Sequence, residues 1–298
     1  MFAGHYGPSL AVRAVRPEVP LWLLFVAAQL VDIAWALLVL GGVEKLRIVP
    51  GITAANPLDL YYMPYTHSLL AAVLWSLAMA VACRWLFRWP AWTVAAWVGV
   101  VVLSHWVLDW LVHRPDLPLY DDTVKVGLGL WNHVALSLVL EASVLGGGLW
   151  LYLKHTRALT AVGRYGPVAV VLLMLAIQGA ALVGPPPPSP AVVAVSGLSM
   201  YVAFAVAARW IDRQRVPADR AELGAARSQP EGIAQADVVA ETRVLVEWQV
   251  IGRERDPVLQ QEPQASGRGP DDALEATAPD QAVVNDDQIR VRRVRPLE

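Results

Sequence analysis

Apolar residues gather in six stretches, at 20–41, 66–87, 91–113, 130–153, 167–184 and 191–211. A helix needs about 20 such residues to cross a hydrocarbon core of about 30 Å, so each is a candidate transmembrane helix. The fifth stretch is the shortest. Gly184, the prolines at 185–188 and Pro190 cannot continue a helix and predict a sharp connection before the sixth. The first 19 residues are too short and polar to span. Their AGHYGPSLAVRAV pattern predicts a short helix or a re-entrant piece. From Asp212 onward Pro, Gly, Gln, Asp, Glu and Arg replace the apolar runs, and such a segment buries too little apolar surface to fold. Within it, TRVLVEWQVI at 242–251 has strand-like content and IRVRRVRPLE forms a basic end. The expectation is an all-α, polytopic membrane helix bundle of about six transmembrane helices over 1–211, followed by a cytoplasmic, largely disordered tail over 212–298.

Composition agrees with a membrane setting. Of the 298 residues 56% are hydrophobic and 17% charged, against about a quarter charged in an ordinary globular domain. Thirteen Trp stand against four Phe, and indole favours the headgroup boundary. The net charge of −2 carries no general signal for nucleic acid. Cys83 is the only cysteine, which excludes an intrachain disulfide and a Cys-based zinc site. With the N-terminus in the cytoplasm, Arg13, Arg16, Arg84, Arg88, Lys154, Arg157, Arg164, Arg209, Arg213 and Arg215 fall inside, and Lys45, Arg47, Arg114 and Lys125 outside. The positive-inside rule therefore places both termini in the cytoplasm. The first long apolar run is too long for a cleavable signal and reads as a retained span.

The chemistry lies in polar residues where apolar ones are expected. In SHWVLDWLVH, His105, Asp109 and His113 are spaced four apart and share one helix face. Asp32 sits in the middle of the first span, with Gln29 before it. A lone carboxylate at that depth costs about 3 kcal/mol on insertion scales, and ionisable groups in spans mark functional sites by default. His67 opens the second span behind Thr66; Asn132, His133, Ser137 and Glu141 run along the fourth. By rise per residue, His67, His113 and His133 belong near the outer boundary, Asp109 about 6 Å and His105 about 12 Å deeper than His113. If residues 4–12 fold back into the membrane, they rise about 12–16 Å, which brings His5 to the depth of Asp32.

Imidazole and carboxylate are ordinary zinc ligands, and a catalytic zinc keeps one position open for water. A helical H-x-x-x-D pair supplies two ligands, or one ligand and the group that orients it. Asp32 or Glu141 is then the candidate general base, and Thr66, His113 and His133 are expected as supporting or rim residues. FAGHYG near the start, Asp32, THSLL at 66–70 and SHWVLD at 104–109, with PLDL at 57–60 and HRPDLPL at 113–119, resemble the YdjM-like family of bacterial inner-membrane proteins, regarded as metal-dependent hydrolases. The resemblance covers about residues 1–155 and implies His5, Asp32, His67, His105 and Asp109 as the metal-site set, in an inner-membrane protein. The H-x-x-x-D pair is also distantly similar to zinc-dependent phospholipases.

Structural readings stand beside these. His105 and Asp109 can satisfy each other across one turn, His67 can be an interfacial cap, and His113 and His133 at headgroup depth need no special role. His155 reads as a solvated residue. Gly146, Gly147 and Gly148 suit close helix packing. Two function classes follow: a membrane-embedded hydrolase that uses a divalent metal, zinc by its donors, on a lipid-like or phosphoester small molecule, or a proton-coupled transporter or non-catalytic membrane protein with a His/Asp network. The tail is a candidate docking segment for a protein of unknown identity. Discontinuous helices and inverted repeats would favour transport; no repeat is visible in the spans.

Overall fold

The computed structural model describes residues 2–89 and 91–218. A 3₁₀ turn (Ala3–His5) leads into α1 (Tyr6–Val15), then α2 (Leu21–Ala28) and α3 (Leu30–Leu40). A hairpin of β1 (Lys45–Ile48) and β2 (Leu58–Tyr62) precedes α4 (Leu69–Leu86) and α5 (Trp92–Val112). A second hairpin, β3 (Leu117–Tyr120) with β4 (Thr123–Val126), precedes α6 (Val134–His155). The remaining elements are β5 (Thr156–Ala158), α7 (Ala161–Val183), α8 (Pro190–Asp212) and β6 (Arg215–Pro217), with β6 antiparallel to β5. The three two-stranded ribbons were not expected from the sequence; they tie connections at the bundle ends and leave the fold helical.

Five of these helices are long and apolar enough to cross a membrane, and the pair α2–α3 makes a sixth span if counted as one. Helix starts are set by side chains that accept orphan N–H groups: Ser68 from Ala71, Thr160 from Gly163 and Ser189 from Val192. Large apolar side chains stay exposed on the outer faces, among them Leu74, Leu77, Leu172 and Val202. In a bilayer those faces meet lipid instead of water. Half of the span window of α5 is buried inside the bundle, against 17–22% for α4, α6, α7 and α8. α5 is therefore the central helix, and its polar stripe is held inside.

Three details depart from the apolar pattern. The first span is broken at Gln29, where α2 and α3 meet at 51°; neither Pro nor Gly stands there. The fifth span is not short. It starts at Ala161 and runs 23 residues with Pro167 inside it. Proline has no N–H for the carbonyl four residues back, and the orphaned Gly163 carbonyl accepts instead from the Arg215 guanidinium. The fourth helix starts at Val134, so Asn132 and His133 precede it.

Folded structure continues past Ile211. Asp212 accepts from Arg13 Nε at 2.9 Å, from the Tyr152 hydroxyl at 3.0 Å and from the Leu21 amide at 3.3 Å. One carboxylate thereby pins the end of α8 to α1, α2 and α6. The strand-like segment 242–251 and the basic C-terminal end lie outside the described residues.

Candidate metal centre

α1 is a half-helix that brings the N-terminus into the bundle. It packs on α6 at two glycines: a Cβ on Gly7 would run into the Val144 backbone, and one on Gly148 into the Gly7 backbone. Ser9 Oγ donates to the Leu24 carbonyl at 2.8 Å, which fixes α1 against α2. Glu141 Oε2 accepts from the amides of Phe2, Ala3 and Gly4 at 3.2, 3.0 and 3.3 Å. This carboxylate sits at the start of the N-terminal turn, where free N–H groups collect. Glu141 thus anchors that turn through Oε2, while its Oε1 has no hydrogen-bond partner and the residue lines the same cavity as Asp32, His67 and Asp109.

At the tip of α1 the His5 ring stacks on the His105 ring, centroids 3.8 Å apart and planes 7° from parallel. His5 meets Asp109, at 3.1 Å from Nε2 to Oδ1, and not Asp32, the residue whose depth it was expected to match. His105 and His67 converge from α5 and from the turn before α4. His105 Nε2 lies 3.1 Å from Asp109 Oδ2 and 3.6 Å from Asp32 Oδ1. His67 Nε2 lies 3.3 Å from Asp32 Oδ1 and 3.8 Å from Asp109 Oδ2. Two sets, His5–His105–Asp109 and Asp32–His67–His105, each have their donor atoms within 4.8 Å of one another. His113, expected at the rim, is only 2% exposed and points Nε2 at Asp109 Oδ1 from 3.7 Å. His133 is exposed and apart from the cluster.

The other ring nitrogens decide what these atoms can do. Thr66 Oγ1 donates its only proton to Glu44 Oε2 at 2.6 Å. Its oxygen then accepts from His67 Nδ1, 2.8 Å away. His105 Nδ1 donates to the Ala28 carbonyl at 2.7 Å, and His113 Nδ1 to Asp116 Oδ1 at 2.9 Å. A neutral imidazole carries one N–H, so in all three rings Nε2 is left with a lone pair. The Ala28 carbonyl is free to accept because the helix breaks at Gln29. Glu44 also accepts the Tyr65 and Thr66 amides; burial raises the pKa of its carboxyl, and these hydrogen bonds oppose the rise.

Lone pairs and carboxylate oxygens thus face each other in a largely buried site. His105 Nε2 has no hydrogen-bond partner, and an unpartnered buried polar atom is costly. A cation satisfies the whole set at once, with each imidazole oriented through its second nitrogen as metal ligands are. The cluster opens on a cavity of about 450 Å³ that reaches between α7 and α8 to the proline loop. Asp32, His67, Asp109, His113 and Tyr201 line it, as do the apolar Trp35, Ile177, Leu182 and Met200 and the polar Asn56, Gln178 and Ser196. Tyr201 donates its hydroxyl to Asp32 Oδ2 at 3.0 Å.

Sequence reasoning did not find Glu44, Asp116 or Tyr201. Asp116, three residues after His113 in HRPDLPL, was the one with a local signal. Glu44 and Tyr201 are far along the chain from the groups they touch, and nothing adjacent to them marks a role.

Fold and site together define a polytopic helical membrane protein with a buried His/Asp centre able to hold a metal ion. The chain belongs to the YdjM inner membrane protein family, whose model matches residues 5–211. The match takes in the fifth and sixth spans, beyond the first 155 residues that carry the recognisable motifs. No curated protein and no solved structure matches the chain significantly.

Proposed function

We propose that the protein is a membrane-embedded metal-dependent hydrolase, with Asp32, His67, His105 and Asp109 holding a divalent cation. The observation that carries this is the convergence of imidazole lone pairs and two carboxylates at the wall of a cavity with both apolar and polar lining. Imidazole with carboxylate suits zinc. When bound, such an ion lowers the pKa of its bound water toward about 7 and polarises an ester or phosphoryl oxygen. The residues do the rest. Glu44–Thr66 and the Ala28 carbonyl hold two imidazoles in the ligating tautomer, and Tyr201 steadies Asp32. Trp35, Ile177, Leu182 and Met200 offer an apolar wall to the chain of a lipid-like substrate. With both termini cytoplasmic, as the basic residues favour, the site faces the outer leaflet of the inner membrane.

The test is metal content and hydrolysis together. Detergent-purified protein should hold zinc or manganese, lose it in His105→Ala and Asp109→Asn, and release product from lipid ester or phosphodiester vesicles only in the loaded wild type. Folded wild type without metal after reconstitution would sink the proposal.

The broken first span supports a second reading, because discontinuous helices are a hallmark of transporters. Here the break has another use: it frees the carbonyl that orients His105. Proton or cation flux in proteoliposomes, abolished by Asp32→Asn, would favour transport over hydrolysis.

A further inference from the structure

We propose that the centre is built for two metal ions bridged by Asp109, the second held by His5 and His113. This rests on the metal-centre reading above and extends it.

The two oxygens of Asp109 face different pairs of histidines. Oδ2 looks toward His105 Nε2 at 3.1 Å and His67 Nε2 at 3.8 Å, with Asp32 Oδ1 completing that side. Oδ1 looks toward His5 Nε2 at 3.1 Å and His113 Nε2 at 3.7 Å. The four nitrogen-to-oxygen distances, 3.1–3.8 Å, are close to the about 3.3 Å that separates donors around one tetrahedral ion at about 2.0–2.1 Å. A carboxylate with two imidazoles on each oxygen is a natural bridge between two ions, as in two-metal hydrolytic sites.

Supporting contacts are also doubled. His67 is oriented by Thr66 and His105 by the Ala28 carbonyl on one side. On the other, His113 is oriented by Asp116, which Arg114 Nε holds at 3.2 Å and which also keeps the imidazole in the tautomer with Nε2 free. A rim histidine needs no such backing. His5 is buried among these groups and held by its stack on His105, while its Nδ1 has no hydrogen-bond partner. Four of the six histidines in the chain are thereby accounted for.

The experiment is titration of purified, metal-stripped full-length protein in detergent with Mn²⁺, read by bound stoichiometry and by electron paramagnetic resonance. Wild type should bind two equivalents and show an exchange-coupled spectrum. His113→Ala and His5→Gln should each bind one equivalent with the spectrum of an isolated ion. Asp116→Asn keeps every ligand and guards against misfolding in those variants; it should weaken only the second equivalent, by about 10–100-fold. One equivalent in wild type, unchanged in His113→Ala and Asp116→Asn, would overturn the two-metal inference and leave the one-metal reading standing. No bound Mn²⁺ at all would overturn both.

Discussion

A threonine hydroxyl has one proton, and at Thr66 its destination selects the nitrogen that His67 offers to the site. Glu44 takes the proton, so the oxygen accepts from His67 Nδ1. Thr66→Val removes this relay and leaves His67 free to rotate or change tautomer. Metal affinity measured by chelator competition should fall about 10–100-fold, the usual loss when such a partner is removed. Thr66→Ser should keep most of it. Glu44→Gln should weaken binding similarly, because an amide can donate to the threonine oxygen and disturb the order of the relay. Equal affinity in wild type and Thr66→Val would mean that the bundle alone orients His67.

At the scale of elements, α1 decides whether His5 reaches the centre. Its seat on α6 depends on Gly7 and Gly148, while Gly146 and Gly147 face open space. Alanine is a better helix former than glycine by about 1 kcal/mol. Gly146→Ala should therefore be neutral or stabilising in a detergent thermal melt, and Gly148→Ala should lower the midpoint because its methyl meets the Gly7 backbone. Equal midpoints would show that α1 can shift without cost. The fifth span offers a matched test. Arg215 replaces the donor that Pro167 lacks and also bonds Thr156. Arg215→Met should destabilise by about 1–3 kcal/mol, and by less in a Pro167→Ala background, where the Gly163 carbonyl regains a helical partner.

For the whole molecule, the folded unit extends past the last span, and truncation can show it. Ending the chain after Ala218 keeps Asp212 and Arg215 with their partners and should leave metal binding and melting unchanged. Ending it after Ile211 strips Arg13 of the Asp212 carboxylate, 2.9 Å away and largely buried. Leaving one member of such a pair alone costs about 3–5 kcal/mol, so the shorter protein should melt earlier and aggregate in size-exclusion chromatography. Two truncations with the same melting point would show that the Asp212 contacts carry no stability. Orientation is testable separately. Single cysteines at Tyr120 and at Leu159, in a Cys83→Ser background, should label from opposite sides of spheroplasts and inverted vesicles.

Six spans and the helical class were readable in the chain because a bilayer admits only backbone that bonds to itself, and length with apolarity declares such segments. Asp32, His67, His105 and Asp109 stood out because charge in hydrocarbon is anomalous on sight, and His5 through a depth match and a motif. What the sequence could not settle was pairing between elements. The bend at Gln29 exists where a carbonyl serves another helix, the fifth span starts early because a distant arginine answers its proline, and Glu141 anchors a turn about 140 positions away in the chain. His113, Glu44 and Tyr201 acquire their places only when separate helices and loops are brought together. Local pattern carries burial and period; the direction of a lone pair depends on partners far along the chain, so tertiary structure alone decided it.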